Sequence, residues 1–478
     1  MTLKTRIGSL SWLLREPARP RAVSSSPLAP WLVVGTVCVG AFMGQLDASI
    51  VILALPTLRT QFHASLGQVE WVALAYLLVL VGGVTAVGRL ADMAGRKLLY
   101  TYGFGVFIVG SALSGLAPGL AFLVAARILQ AVGAVMLQAD SVALIRHAMP
   151  PGKLGRGIGI QGGAQALGLA LGPVAGGLLI GLGGWRLIFF INVPTGLVGM
   201  LLGWFLLPRT RDLAPRTRFD WLGALIFMPA VGALMAALAF GRERGWASPL
   251  IVFLLVSTVL LLVAFLAQES RAKSPMIDLV LFRSISFSAG ISSGLLSYLV
   301  TFGVLFVVPF FLQDGRHVSP GKAGFELMVL PAALGVMAPF GGRLADRFGA
   351  RRVTTAGMLV SAGGCALMAF AHDPVLLLLI ELGLIGLGLG AFTPANNAAI
   401  MTSAPAAQAG LASGILNMSR GLGTSLGVTL TAIVFSFAAD PSSGLSAAAF
   451  FLTGIALLAA LMTSFRGRPA LESHAQAG

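Results

Sequence analysis

The sequence predicts an all-α integral membrane protein in which two related six-helix bundles are joined by two further transmembrane helices. Three observations support this fold class. Hydrophobic residues make up 57% of the 478 residues and charged residues only 10%, with a mean hydropathy of +0.91. Apolar runs of transmembrane length recur along the chain, and one five-residue segment occurs twice. A soluble chain of this length needs a more highly charged surface, so the bilayer is the expected solvent.

Fourteen apolar runs predict fourteen transmembrane helices. A helix crosses about 30 Å of hydrocarbon with about 20 apolar residues, and it satisfies its own backbone hydrogen bonds in lipid. The runs begin near Trp31, Trp71, Leu98, Leu120, Ile158, Leu187, Trp221, Leu250, Phe287, Phe325, Val353, Pro374, Leu411 and Ala447.

The repeated segment relates the two halves of the chain. Residues 88–92, Gly-Arg-Leu-Ala-Asp, recur letter for letter at 342–346, and each copy ends an apolar run before a basic loop. At the same offset, Arg127 in the first half corresponds to Glu381 in the second. Both are ionisable residues inside apolar segments, so the repeat predicts opposite charges at equivalent depths in the membrane.

The repeat and the apolar runs together predict how the chain is divided. Two extra spans lie between the repeats and belong to neither, and parallel repeats with a site between them are typical of transporters. The predicted segments are a tail at 1–30, a six-helix bundle at 31–207, a linker with two extra helices at 208–282, a second six-helix bundle at 283–466 and a tail at 467–478.

The distribution of basic residues predicts the orientation in the membrane. Most of the 32 Lys and Arg residues fall in the N-terminal tail or in alternate loops. Because cytoplasmic loops are enriched in Lys and Arg, both termini are expected to be cytoplasmic. The net charge of +15 then reflects topology and not a nucleic-acid partner, and the basic tail is expected to lie against anionic lipid headgroups. The basic residues of the predicted outer segments are Arg59, Arg186, Arg242, Arg244, Arg316 and Lys322.

Four segments resemble motifs of a known transporter family. Residues 88–97 resemble the cytoplasmic loop motif of the major facilitator superfamily, and residues 168–177 resemble its antiporter motif. Residues 46–56 and 185–194 are similar to motifs of the fourteen-helix drug:proton antiporters of the EmrB/QacA type.

The resemblance implies a major facilitator fold and the export of amphipathic, cationic compounds across a bacterial inner membrane. It implies the proton as coupling ion and no cofactor. The chain departs from the family pattern at Ser49 and Ile52, where Thr and Asn are usual, and at Ala131, where Gly is usual.

Asp47, Arg127 and Glu381 are the predicted proton-coupling residues. Charged groups within a bilayer are costly and are functional candidates by default. Counting residues from the outer ends of their spans places all three roughly 10–12 Å below the outer surface. We expect Asp47 to bind the exchanged proton and Arg127 to set its affinity, with a permanent ion pair that braces two helices as the alternative. Glu381 could contact a cationic substrate or serve as a structural partner.

Asp47 and Glu381 also belong to the predicted substrate cavity, which is lined by Asp47, Tyr76, Gln130, Glu381 and Asn192. Two further charges fall within spans. Asp140 is expected to be a solvated acid at a helix end rather than a second titrating group. Arg420 either balances Glu381 or extends towards the cytoplasm, and the sequence leaves both open.

The sequence predicts gating residues in the two repeated loops. Asp92 and Asp346 fall where a following helix is expected to begin, so that each carboxylate would meet the positive end of a helix dipole. Pairing with loop arginines across the bundle interface would favour an outward-facing state, although positive-inside charge and helix capping also explain these residues. The predicted gating residues are Gly88, Arg89, Asp92, Gly95, Arg96, Arg343 and Asp346.

A glycine-rich stretch in the fifth span predicts a hinge. Small residues at this spacing bring helix backbones close together in lipid, and a proline permits a kink. The predicted hinge residues are Gly168, Gly172, Pro173, Gly176 and Gly177, for which helix packing alone is the alternative explanation.

Other functional classes find little support in the sequence. The Gly-Lys pairs at 152–153 and 321–322 lack the remainder of a phosphate-binding loop. With two isolated cysteines, five histidines and no catalytic or metal-ligand spacing, neither an enzyme nor a metal site is expected. The alternatives to drug export are a proton-coupled transporter of a specific metabolite, by export or symport, and a passive channel. The sequence does not indicate whether the protein has a periplasmic adaptor as a partner.

Overall fold

The chain is all-helical in the part that the computed structural model describes, and no strand occurs there. The predicted C-terminal tail and residues 1–15 of the N-terminal tail lie outside that part. The described residues are 16, 18–150, 153–210, 220–272, 279–370, 375–405 and 409–465.

Fourteen long helices, α1 to α14, follow one another through these ranges. Thirteen of them are long and apolar enough to cross a membrane, and α13, which carries Arg420, is not among the thirteen. The helices are α1 Ala29–Gln61, α2 Leu66–Ala94, α3 Arg96–Gly115, α4 Leu120–Ala148, α5 Leu154–Gly183, α6 Leu187–Phe190 with Asn192–Leu206, α7 Trp221–Arg244, α8 Pro249–Arg271, α9 Ile285–Phe310, α10 Pro320–Leu327 with Val329–Phe348, α11 Ala350–Phe370, α12 Val375–Ser403, α13 Ala409–Ser436 and α14 Pro441–Ser464.

Helices α2 and α14 begin more than one turn before their predicted apolar runs, at positions where polar residues cap them. The Ser65 hydroxyl accepts from the Gln68 backbone N–H at 3.2 Å, and the Gln68 side chain accepts from the Ser65 N–H at 3.0 Å. Asp440 accepts from the backbone N–H of Ser442 and Ser443 at the start of α14. Such capping boxes satisfy the first backbone donors of a helix, so α2 and α14 start in polar sequence.

The two halves of the chain pack their helices in the same pattern. In the first half α1 packs on α5 and α6, α3 on α6, and α4 on α1, α2 and α3. In the second half α9 packs on α13 and α14, α11 on α14, and α12 on α9, α10 and α11. Each pair in one half corresponds to the pair eight helices away in the other, which supports the proposed division into two six-helix bundles.

The contacts between the halves follow the same symmetry. Helix α2 packs on α13, and α5 packs on both segments of α10. The inserted helix α7 packs on α2 and α13, at the seam between the halves, while α8 packs on α7 and leaves most of its surface exposed. The insertion therefore covers one of the two seams.

Candidate functional site

Asp47 and Arg127 form a buried ion pair between α1 and α4. Nη1 of Arg127 lies 2.6 Å from Oδ2 of Asp47, and the two side chains are 1% and 0% exposed. Nε of Arg127 also donates to the carbonyl oxygen of Val72 on α2 at 3.0 Å. The guanidinium thus connects three helices of the first half, and the predicted meeting of these two charges is present in the structure.

Two amide side chains complete the hydrogen bonding of Asp47. Oδ1 of Asp47 accepts from Nε2 of Gln130 at 2.8 Å and from Nδ2 of Asn192 at 2.9 Å. Gln130 in turn accepts from Nη1 of Arg127 at 2.6 Å. The carboxylate therefore receives three hydrogen bonds, one of them charge-assisted, in a site without solvent exposure. Four of the predicted site residues come together in this network.

Ser111 on α3 supports the network and was not predicted. Its hydroxyl accepts from the amides of Gln130 and Asn192 at 3.0 Å each, and it donates to the carbonyl oxygen of Phe189 at 2.9 Å. The neighbouring Gly110 lets α3 approach α4, since a Cβ there would overlap the backbone of Gln130. A serine in an apolar run carries no signal of its own, so the sequence could not single it out.

Tyr76 on α2 separates the ion pair from a cavity. The Cζ atom of Arg127 lies 4.2 Å from the centroid of the Tyr76 ring, which is a cation–π distance. The ring is also part of the cavity wall, and its hydroxyl is buried without a hydrogen-bond partner. Tyr76 thus touches both the charged network and the space where a ligand could lie.

The cavity lies between the two halves, and its atom-free space, including the part that is open to solvent, is about 1060 Å³. Its wall is formed by α1, α2, α4 and α5 of the first half and by α9 and α13 of the second. The polar side chains in the wall are Gln45, Tyr76, Gln138, Ser141, Gln165, Tyr298, Asn417, Arg420 and Thr424.

The predicted lining of this cavity is corrected by the structure. Tyr76 lines the cavity, but Asp47, Gln130 and Asn192 do not, because their polar atoms face one another within the first bundle. Glu381 does not line it either. The expectation that all the predicted residues share one cavity is therefore not met.

Glu381 stands apart from the Asp47–Arg127 pair. It lies on α12 at a level where α12 touches α11, since a Cβ at Gly364 would come within 2.9 Å of the Glu381 carbonyl oxygen. Both of its carboxylate oxygens are buried and have no hydrogen-bond partner. Arg127 and Glu381 do occupy equivalent positions of the repeat. Arg127 forms an ion pair with Asp47, whereas the Glu381 carboxylate has no hydrogen-bond partner among the described residues.

The structure also bears on the two further charges within spans. Asp140 differs from expectation, and for Arg420 one of the two alternatives, extension towards the cytoplasm, stays a prediction. Asp140 is 1% exposed, so the predicted solvated acid at a helix end is wrong. It sits within α4, two turns before the helix ends, where α4 is still packed against its neighbours. Arg420 pairs with neither Glu381 nor any other described carboxylate, and its side chain lines the cavity.

The two halves meet at the end that carries the predicted outer loops. Nη1 of Arg59 lies 3.2 Å from Oδ2 of Asp314, and the Thr57 hydroxyl donates to Oε1 of Gln313 at 3.2 Å. The amide of Gln313 also donates to the carbonyl oxygen of Leu53 at 3.1 Å. The cavity wall, by contrast, extends towards the first turns of α13 and the last turns of α4. With the predicted orientation, this arrangement is closed outside and faces inwards.

The two repeated loops contain fewer residues than expected. Each is reduced to one glycine, Gly95 between α2 and α3 and Gly349 between α10 and α11, with φ of 106° and 87°. Asp92 and Asp346 consequently lie in the last turn of the preceding helix and not at the start of the next, which corrects the predicted dipole contact.

The predicted charge pairs of these loops find no support among the described residues. Arg343 and Asp346 are exposed and form no ion pair with a described residue. The side chains of Arg89 and Asp92 lie outside the described part of the structure, Gly88 is half-buried, and Arg96 is the first residue of α3.

The glycines of α5 lie where other helices approach most closely. A Cβ at Gly168 would overlap the Phe42 carbonyl oxygen on α1, and one at Gly172 would overlap Ser49. Gly176 faces Ile50, at 2.8 Å from its Cγ1, and Gly177 touches the backbone of Pro320 on α10. Helix α5 is continuous through Pro173, so close packing accounts for the glycines and the hinge stays a prediction.

Glu16, near the N-terminus, is a buried contact that the sequence did not indicate. Its carboxylate accepts from the backbone N–H of Thr210 at 2.6 Å and from the Thr210 hydroxyl at 2.9 Å. Nε of Arg209 donates to the Glu16 carbonyl oxygen at 2.9 Å. Glu16 is therefore held against the residues that follow α6, a contact between distant residues for which a single sequence gives no signal.

Comparison with known proteins identifies the family. The model of the Major Facilitator Superfamily matches residues 37–222 and 290–478. The chain is 34% identical to a riboflavin transporter of Clostridioides difficile, over 85% of this chain and 88% of that protein. It is 33% identical to a tetracenomycin C resistance and export protein of Streptomyces glaucescens, over 87% and 79%, and 35% identical to a multidrug resistance protein of Mycobacterium tuberculosis, over 83% and 74%.

Solved structures show the same fold. A bacterial homologue of the lysosomal transporter Spinster, in an inward-facing and unoccupied conformation, superposes with a TM-score of 0.64 over 92% of this chain and 96% of that one, at 16% identity. A peptide transporter in complex with sulfate gives a TM-score of 0.68 over 95% and 96%, also at 16% identity. The predicted all-α major facilitator fold is confirmed.

Proposed function

Because the chain belongs to the major facilitator superfamily, we propose that it is a proton-coupled antiporter that exports amphipathic small molecules by alternating access. It is a multi-pass membrane transporter and not an enzyme. Its relatives include proteins named for drug resistance, which supports drug export. The location in a bacterial inner membrane with cytoplasmic termini is part of the proposal and rests on the basic loops.

The observation that carries the proposal is the buried Asp47–Arg127 pair directly behind the cavity wall. A transporter that exchanges protons needs an ionisable group whose charge state responds to the ligand. Tyr76 contacts the Arg127 guanidinium on one side and the cavity on the other. A ligand that displaces Tyr76 would therefore change the surroundings of the cation that balances Asp47.

The proton step follows from the hydrogen bonds of Asp47. In the ionised form its two oxygens accept from Arg127, Gln130 and Asn192. Protonation removes the negative charge and one acceptor position, so the ion pair is lost and Arg127 keeps at most a hydrogen bond to a neutral carboxyl group. Arg127 would then be free to reorient and loosen the contacts that it makes with α1 and α2. We propose that this change permits the return from the outward-facing to the inward-facing conformation, which carries the bound proton into the cell.

The charge of the substrate is less well supported. The sequence predicts cations, because Asp47 and Glu381 were expected to face the substrate. Asp47 is instead neutralised by Arg127, and Glu381 lies outside the cavity wall. Export of cations stays a prediction from family resemblance.

Transport of one specific metabolite is the second candidate, and the relative named as a riboflavin transporter favours it. A passive channel is less well supported. It needs a continuous path, whereas the contacts of Arg59 and Gln313 close one end of the seam between the halves.

The experiment uses the full chain in liposomes with an imposed inward proton gradient. A pH-sensitive dye would report proton movement when a panel of aromatic cations and aromatic sulfonates is added. The expected result is proton movement that depends on at least one compound and that Asp47→Asn abolishes. Asp440→Asn, the same chemical change at an exposed cap outside the membrane, is the matched control and should behave as wild type.

Two outcomes would argue against the proposal. Proton movement that needs no added compound would indicate a channel. Compound-dependent proton movement that survives in Asp47→Asn would keep antiport but remove Asp47 from the coupling step.

A further inference from the structure

Arg420 on α13 is the one charged side chain among the described residues that line the central cavity. In the repeat it corresponds to Gln165 on α5, and Gln165 lines the same cavity. The two pseudo-symmetric walls therefore present an amide on one side and a guanidinium on the other.

The guanidinium of Arg420 is incompletely satisfied by the protein. Nη1 donates to Oδ1 of Asn417 at 3.3 Å, and Cζ lies 5.6 Å from the centroid of the Tyr298 ring. Nε is buried and has no hydrogen-bond acceptor. No described carboxylate forms an ion pair with Arg420. A cation in an apolar cavity without a counter-ion is unfavourable, and a ligand that supplies one would be bound preferentially.

A second hydrogen-bond donor in the same wall also lacks an acceptor. The hydroxyl of Tyr76 is buried without a partner. Guanidinium groups only donate, and phenolic hydroxyls donate readily to charged oxygens. Arg420, the charged residue of the wall, thus favours an electron-rich ligand, while the carboxylates of Asp47 and Glu381 lie outside the wall.

The remainder of the wall suits a flat apolar body. The rings of Tyr76, Tyr298 and Phe302 line the cavity together with Leu80 and Val81. Pockets of this type bury most of an aromatic ligand against apolar surface and orient it through a few polar groups.

We propose that the cavity binds an amphipathic aromatic anion. Arg420 holds its carboxylate, sulfonate or ionised hydroxyl group, and its ring system packs against the aromatic side chains of the wall. That this anion is the exported substrate rests on the proposed function, whereas its binding does not depend on proton coupling.

The test measures equilibrium binding to the purified full chain with three probes of one shape. These are 2-naphthalenesulfonate, the neutral 2-naphthalenesulfonamide and the cationic (2-naphthylmethyl)trimethylammonium. We expect saturable binding of the sulfonate at least tenfold tighter than that of the other two. Arg420→Gln, which copies the residue of the first half, should remove this preference, and Arg420→Lys should retain part of it. Arg271→Gln, the same chemical change at the exposed end of α8 and outside the cavity wall, is the matched control and should keep the preference.

Equal affinities for the three probes, tighter binding of the cation, or no saturable binding of the sulfonate would overturn the proposal. So would an anion preference that Arg420→Gln leaves unchanged in a protein with wild-type unfolding temperature. Failure of the proposed function has a different signature, namely Arg420-dependent binding of the sulfonate without any proton-linked transport.

Discussion

At the scale of single residues, the energetics of the site are set by two fully buried charges. Removing one partner of a buried ion pair typically costs about 3–5 kcal/mol, because it leaves the other charge uncompensated. Asp47 and Arg127 are 0% and 1% exposed, and each makes further hydrogen bonds, so this penalty applies to both. The pair is therefore a structural element of the first bundle as well as the proposed coupling site.

A double-mutant cycle should reveal this coupling. Arg127→Gln should destabilise the protein by about 3–5 kcal/mol, since Asp47 is left without its counter-ion. The double variant Asp47→Asn/Arg127→Gln should regain a large part of that loss, because neither charge remains. Thermal unfolding of the purified protein in one detergent provides the measurement, and additive losses in the double variant would show that the pair is not energetically coupled.

At the residue level, charge was the signal that singled out the buried pair, whose role in proton coupling stays a prediction. Asp47 and Arg127 stood out because ionisable groups are rare in apolar runs, and counting residues placed them at one depth. The same residue count could not predict which neighbours Glu381 contacts, because depth along a helix does not give the direction in which a side chain points. Ser111 was missed since its hydroxyl becomes functional only through neighbours on α4 and α6.

At the scale of helices, packing depends on glycines that let backbones touch. Gly168 and Gly172 on α5 face α1, and Gly423 and Gly427 on α13 face α9 in the equivalent contact of the second half. Without a hydrophobic force between helices in lipid, association relies on close van der Waals contact, which only small residues allow.

Adding one methyl group should test this contact. Gly168→Ala places a Cβ against the carbonyl oxygen of Phe42, where backbone must move, so we expect a lower unfolding temperature and reduced transport. Gly163→Ala is the control on the same helix, because nothing lies within 4 Å of its Cβ. It should be neutral or slightly stabilising, as alanine favours helix more than glycine. Equal effects of the two substitutions would contradict close packing at Gly168.

The outer ends of α1 and α9 form the second element-level feature. The hydroxyl of Thr57 and the amide oxygen of Gln313 lie 3.2 Å apart across the seam between the halves. Alternating access requires these ends to separate, so the contact should be present in only part of the transport cycle.

A disulfide across this contact should lock the transporter. In a variant without Cys38 and Cys365, the pair Thr57→Cys/Gln313→Cys should cross-link on oxidation and lose transport, and reduction should restore it. Each single cysteine variant, oxidised in the same way, is the control. Full transport by the cross-linked protein would contradict a gate at this position.

At the scale of the whole molecule, the repeat determined most of what the sequence could predict. The pentapeptide at 88–92 and 342–346 indicated two related halves, and the helix pairs now observed follow that symmetry. The conformational state was not predicted, because it depends on which end of the seam closes, and the proposed loop pairs do not indicate which state the chain adopts. Contacts between residues far apart in the sequence, such as Glu16 with Thr210, cannot be predicted from composition or residue spacing.

The central claim is that Asp47 couples transport to protons rather than only bracing α1 against α4. The measurement that tests it most directly compares two modes of transport in liposomes for wild type and Asp47→Asn. One mode is gradient-driven accumulation of a compound that the wild type transports, and the other is exchange of that compound at equal pH on both sides. The account predicts that Asp47→Asn loses accumulation and keeps exchange, since only the former requires a proton to be bound and released. Loss of both modes together, in a variant that still folds and still binds the compound, or retention of both, would contradict it.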